Sequence, residues 1–132
     1  MRYLGIDYGT KRVGVALSDE SGTLAFPHEI LENKNDLVNT IKVICEKEGI
    51  GAIVIGESLN YGMEPNLVMK KINKFISSLK EVVNLPVILE REFLSTQQAR
   101  FYQRDRHHVD DSAAAIILQS FFDRQQASGN RL

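Results

Sequence analysis

Apolar residues alternate with small or polar ones over residues 3–6 and 13–17, and the polar centre between them holds Gly9, Thr10 and Lys11. That pattern predicts a strand, a tight turn and a second strand, with Asp7 at the end of the first on the same face as Gly5 and Tyr3. A turn at 18–22 leads to a third apolar run, 23–31, interrupted by Pro27, which predicts an edge strand or a break. Asn35 is the expected N-cap of a helix running to about Lys47, with Leu37, Val38, Ile41, Ile44 and Cys45 on its apolar stripe and Gly49 ending it. The unbroken apolar run 51–56 reads as a strand buried on both faces, the mark of a parallel sheet. A polar loop follows, with Glu57 and Asn60 in it, and then Pro65 in the first turn of a helix striped by Val68, Ile72, Phe75, Ile76 and Leu79. Lys70, Lys71, Lys74 and Lys80 fall on the opposite side of that helix and read as a solvated face. Residues 85–89 form a further strand. Ser95 caps a short helix through about Tyr102, and a strongly apolar helix spans 109–122, its Ala113, Ala114 and Ala115 small enough to pack closely on a sheet. The polar tail from Asp123 is expected to fray.

At 132 residues the chain is sized for one core. One domain over 1–125 with a polar tail at 126–132 is the expected organisation. Sixteen Lys plus Arg against 17 Asp plus Glu exclude a global basic field, so any polyanion site must be local. The single cysteine, Cys45, reads as a buried structural thiol compatible with a reducing compartment. The start runs directly into a strand and no apolar run reaches membrane-spanning length, so a soluble, cytoplasmic protein with no membrane partner is expected.

The candidate chemistry sits at element ends: Asp7, Glu92 with Glu90, and Asp110 with Asp111. Two readings of Asp7 stand, a turn cap or a carboxylate held for a cation. Carboxylate oxygens are the preferred ligands of Mg²⁺ and Mn²⁺, and a pair of such ions roughly 3.5–4 Å apart activates water for attack on a phosphodiester. The pattern leaves open which ends converge. Between Arg100 and His108 lie Arg100, Arg104, Arg106, His107 and His108 beside Phe101 and Tyr102, a basic and aromatic mixture suited to a nucleic-acid backbone or to a solvated loop. His107 and His108 are candidates for passing a proton to a leaving group, against the plainer reading as part of that loop. His28, alone at a sheet edge, is assigned no chemistry.

The stretch Leu4-Gly5-Ile6-Asp7-Tyr8-Gly9-Thr10-Lys11-Arg12-Val13-Gly14-Val15-Ala16, the loop with Ile55-Gly56 and Leu59-Asn60, Glu92 before Leu94-Ser95-Thr96, and Asp110 before Ala113-Ala114 and Ile117-Leu118-Gln119 together resemble the YqgF/RuvX family. That family is described both as pre-16S rRNA nucleases and as Holliday junction resolvases. The resemblance implies an α/β RNase H-like fold: a mixed five-stranded sheet, three antiparallel strands and then two parallel ones, with helices on both faces. It implies Asp7, Glu92 and Asp110 as catalytic residues and ligands of Mg²⁺ or Mn²⁺. Thr10, Lys11, Arg91, Arg104 and Arg106 are the expected substrate contacts. The implied activity is a metal-dependent nuclease trimming the 5′ end of precursor 16S rRNA, with resolution of branched DNA junctions second, by a monomer or weak homodimer. The family's Asp-Glu-Arg is here Arg91-Glu92-Phe93, and its Gly-Leu-Pro is Gly56-Glu57-Ser58. Glu57 or Glu90 is then a candidate to replace lost acidity. Two other classes remain: an ATP-binding domain of the actin and sugar-kinase group, which shares the hairpin but needs two domains, and a binding module that has lost activity.

Overall fold

The computed structural model describes residues 1–57, 65–90 and 113–127. Its elements are β1 (Arg2–Tyr8), β2 (Arg12–Ser18), β3 (Ala25–Glu32), α1 (Leu37–Glu48), β4 (Ile50–Glu57), α2 (Pro65–Val82), β5 (Val87–Leu89) and α3 (Ala113–Ala127). The strands form one sheet in the order β3-β2-β1-β4-β5. The β1-β2 and β2-β3 pairs are antiparallel, whereas β1-β4 and β4-β5 are parallel. This is the mixed sheet that the resemblance implied. The helix expected at 95–102 and the tail beyond Ala127 lie outside the described residues.

Strand alternation gives the sheet two unlike faces. One carries Leu4, Ile6, Val13, Val15, Leu17, Ile53 and Ile55, packed against Leu37, Ile41, Ile44 and Cys45 of α1 and Ile72, Phe75 and Leu79 of α2. Each fully buried aliphatic side chain there contributes about 1.5–3 kcal/mol. The other face is built of small residues, and α3 lies on it through Ala114, Ala115, Ile117, Leu118, Phe121 and Phe122, against Ala16, Ala25 and Val54. A Cβ at Gly5 would stand 2.9 Å from Leu118 Cβ and 3.0 Å from the Ala114 carbonyl oxygen. The absence of a side chain is what lets α3 come so close. Residues 114–122 are buried without exception, on every side of the helix.

Several expected boundaries shift for physical reasons. The residue capping α1 is Asp36 rather than Asn35, and it makes no side-chain capping hydrogen bond. A turn closed by Leu37 N–H donating to the Lys34 carbonyl precedes the helix. Gly49 ends α1 as expected, at φ 64° with its N–H donating to the Cys45 carbonyl. Strand β5 starts at Val87 rather than Leu85; Pro86 lends its carbonyl to Ile53 N–H at 2.9 Å but has no N–H to return. The stretch beginning at Asp123 is helical to Ala127 instead of frayed. Gln119 Nε2 donates to Asp123 Oδ1 at 3.3 Å and Arg124 pairs with Glu90, which together tie that last turn down. Strand β3 lies at the sheet edge, and its ladder with β2 slips between Val15 and Ala16, opposite the stretch holding Pro27, as proline demands. His28 is exposed on that edge, 3.5 Å from the Glu29 carboxylate. Cys45 is buried and free, and burial raises its thiol to about 11, so it stays unreactive at neutral pH.

Gln119 joins α3 to the start of β3: its Oε1 accepts from Ala25 N–H at 3.1 Å and its Nε2 donates to the Thr23 carbonyl at 3.0 Å. Gln119→Leu preserves bulk but strands a buried amide. A loss of about 2–3 kcal/mol is expected by urea unfolding, and an unchanged midpoint would show that the two bonds are dispensable.

Candidate active site around Asp7

Asp7 lies near the carboxyl end of β1, with Gly14 of β2 as its partner on one side and Gly56 of β4 on the other. No cross-strand side chain therefore crowds its carboxylate. A Cβ on Gly14 would stand 3.7 Å from Asp7 Cβ and 3.6 Å from Ala114 Cβ, so the first turn of α3 covers the same patch of sheet. From there α3 runs back along β1, since Phe121 and Phe122 reach Tyr3 at ring-centroid distances of 5.9 and 5.1 Å. The start of α3 and the carboxyl ends of β1, β4 and β5 thus share one end of the sheet.

The electrostatics of this position are unusual. Asp7 Oδ1 is buried and has no hydrogen-bond partner among the described residues. It caps no turn there, which removes the simpler of its two readings. Burial pushes the carboxyl up to about 6. A buried carboxylate oxygen left without a donor is costly, and a cation is one of the few things that satisfies it. Residues 91–112 lie outside the described residues, and with them Arg91, Glu92, Arg100, Phe101, Tyr102, Arg104, Arg106, His107, His108, Asp110 and Asp111; so does Asn60. Among the described residues no three acidic, histidine or cysteine side chains come together. In the sequence, Glu92 follows the last residue of β5 by three positions and Asp110 precedes the first residue of α3 by three.

Thr10 and Lys11 are exposed at the tip of the β1-β2 hairpin. That tip is held from a side the sequence did not reveal: Asn33 Nδ2 donates to the Gly9 carbonyl at 2.8 Å and Asn33 N–H to the Lys11 carbonyl at 2.9 Å. A side chain at position 9 would meet the Arg12 carbonyl oxygen at 2.5 Å, so the turn requires glycine.

Residues 1–124 match the family model described as "RuvX: Holliday junction resolvase". The chain belongs to the RuvX family. A relative from Nitratidesulfovibrio vulgaris, named "Putative pre-16S rRNA nuclease", is 38% identical over 93% of this chain and 94% of its own. One of the same name from Maridesulfovibrio salexigens is 36% identical over 94% and 99%. Among solved structures, Thermus thermophilus RuvC in complex with Holliday junction substrate superposes with a TM-score of 0.61 at 14% identity, over 95% of this chain and 96% of that one. That likeness shows the RNase H-like fold.

Within this RuvX-family chain, Glu90 Oε1 is paired with Arg124 of α3, and the side chain is buried. The pair pins α3 to the end of β5, a structural task that strand position alone did not disclose. Glu57 ends β4. The only sequence signal for the Asn33 clamp is an asparagine directly after a strand, a common turn residue that by itself names no partner.

Proposed function

We propose that the chain is a divalent-metal-dependent nuclease, hydrolysing phosphodiester bonds with Asp7, Glu92 and Asp110 as its acids. The observation that carries this reading is Asp7 itself: a half-buried carboxylate flanked by glycines, whose buried Oδ1 has no hydrogen-bond partner among the described residues, at the end of the sheet that the start of α3 covers. The donor set suits Mg²⁺ or Mn²⁺, hard cations that take oxygen ligands. When bound, such ions lower the pKa of water and stabilise the leaving oxygen of a phosphodiester.

The chain's own residues supply the rest. Asp7 enters on a rigid central strand and is held in place on both sides by backbone pairing. The Gly9-Thr10-Lys11 turn, fixed by Asn33, presents a hydroxyl and an ammonium to a phosphate. Arg91, Arg104 and Arg106 add cationic contacts to the strand. Precursor 16S rRNA is the first-ranked substrate, in line with the names of the relatives, and trimming it requires one site, which a monomer provides. The family description favours a second reading, a four-way DNA junction, whose symmetric cutting requires two sites and hence a dimer. Among the described residues no helix is long and apolar enough to cross a membrane, and a single domain to residue 125 acting in the cytoplasm fits this work.

The test is cleavage of a labelled precursor 16S rRNA 5′ fragment beside a four-way DNA junction, with Mg²⁺ or Mn²⁺. Metal-dependent cutting of the RNA is expected, and cutting of the junction alone would promote the second reading. RNA binding by folded protein with no cutting of either would sink the nuclease and leave a binding module.

A further inference from the structure

Helix α2 presents an exposed surface of one sign. Lys70, Lys71 and Lys74 are all exposed before its last two turns, and no acid occurs in the helix before Glu81. None of the three lysines is ion-paired with a described residue. Helix α1, on the same side of the sheet, mixes the signs on its outer face, with Lys42, Glu46 and Lys47. Since the whole chain carries a net charge of −1, the α2 cluster is a local concentration.

Its position is set by a ring contact. Phe75 of α2 lies 4.8 Å, centroid to centroid, from Tyr8. Tyr8 directly follows Asp7 and points to the opposite face of the sheet. The lysine-bearing part of α2 therefore stands at the same end of the sheet as Asp7, across its thickness. Lys70 and Lys74 are one helical turn apart, about 6 Å along the axis.

We propose that Lys70, Lys71 and Lys74 bind backbone phosphates of the nucleic-acid strand that flanks the segment held at Asp7, after it crosses the carboxyl edge of the sheet. The proposal rests on the nuclease reading and extends its footprint to the second face. Lysines act on phosphate as point charges, so the contacts are independent of base sequence and released by salt.

The experiment is a salt titration of binding in the Asp7→Asn protein, using a labelled single-stranded RNA and, in parallel, a four-way DNA junction. With Lys70→Gln, Lys71→Gln and Lys74→Gln added, the slope of log K against log salt on the RNA is expected to become shallower by about 2. Affinity at low salt is expected to fall about tenfold or more. A control with Lys47→Gln and Lys80→Gln, exposed lysines in the last turns of α1 and α2, is expected to keep the parent slope. Circular dichroism melting establishes that each variant is folded. A triple variant with the parent slope, or a control that falls equally, overturns the proposal. Failure of the parent to bind either probe overturns it together with the nuclease reading. If the wild type cuts nothing yet the slope still depends on these lysines, the nuclease reading alone fails. Cleavage with a lysine-independent slope fails the surface alone.

Discussion

Asp7→Asn is expected to abolish cleavage while making the metal-free protein more stable at neutral pH. The loss of activity should be at least 10²–10³-fold, because the amide keeps the shape of the carboxylate but not the charge that a cation requires. The gain in stability follows from burial. The folded-state carboxyl titrates at about 6 against an ordinary value of 3.8, so the native chain holds its proton more tightly than the unfolded one. Stability from this group is fully present below pH 3.8 and is lost as pH rises through 6. Asparagine never ionises and escapes that loss. Since Asp7 is half-buried, a gain of about 1–2 kcal/mol is expected at pH 7.5, shrinking toward zero near pH 4. Urea unfolding at both pH values in EDTA measures it. Added Mg²⁺ should raise the melting temperature of the wild type and leave that of Asp7→Asn unmoved. A variant less stable than the wild type at pH 7.5 would mean that Asp7 has a structural partner and is not a strained carboxylate awaiting a cation.

The second large effect is expected at Gly5. An alanine there would place its Cβ against Leu118 Cβ and the Ala114 backbone oxygen, neither of which can swing aside. Helix α3 must shift, at about 2–3 kcal/mol. It would lift at the turn that covers Asp7, so cleavage is expected to fall about 10–100-fold even where the protein stays folded. Gly56→Ala offers the comparison. Its Cβ would meet Ile117 Cδ1 at 2.7 Å, Cγ1 at 2.9 Å and Cγ2 at 3.0 Å; only Cδ1 can turn away, because a buried β-branched side chain on a helix is held at one χ1, and a cost of about 1–3 kcal/mol is expected. An unchanged urea midpoint at both positions would show that the sheet does not set the height of α3.

These effects also mark how far the primary structure could be read. The elements are local: period-two alternation in β1 and β2, the apolar run of β4, the stripe Ile72, Phe75 and Leu79 of α2, and Gly49 closing α1 are each decided by neighbours in the chain. Pro27 placed β3 at an edge because a missing N–H cannot serve a central ladder. Short-range errors arose where the deciding contact was distant. Asp123 and the residues after it looked like a fraying tail because Glu90, the partner of Arg124, stands 34 residues away.

By itself, then, the sequence determined the order and kind of the elements, the edge proline and the family, since these rest on backbone preference and on motifs read in line. Only the tertiary structure decided that Gly5, Gly14 and Gly56 form one face on which α3 settles, that Asn33 holds the hairpin tip, that Glu90 pairs with Arg124, and that Asp7 Oδ1 is buried without a hydrogen-bond partner among the described residues. Each of those is a matter of which surfaces meet once the strands are in register, and a pattern along the chain carries no distance between residues that fold together from far apart.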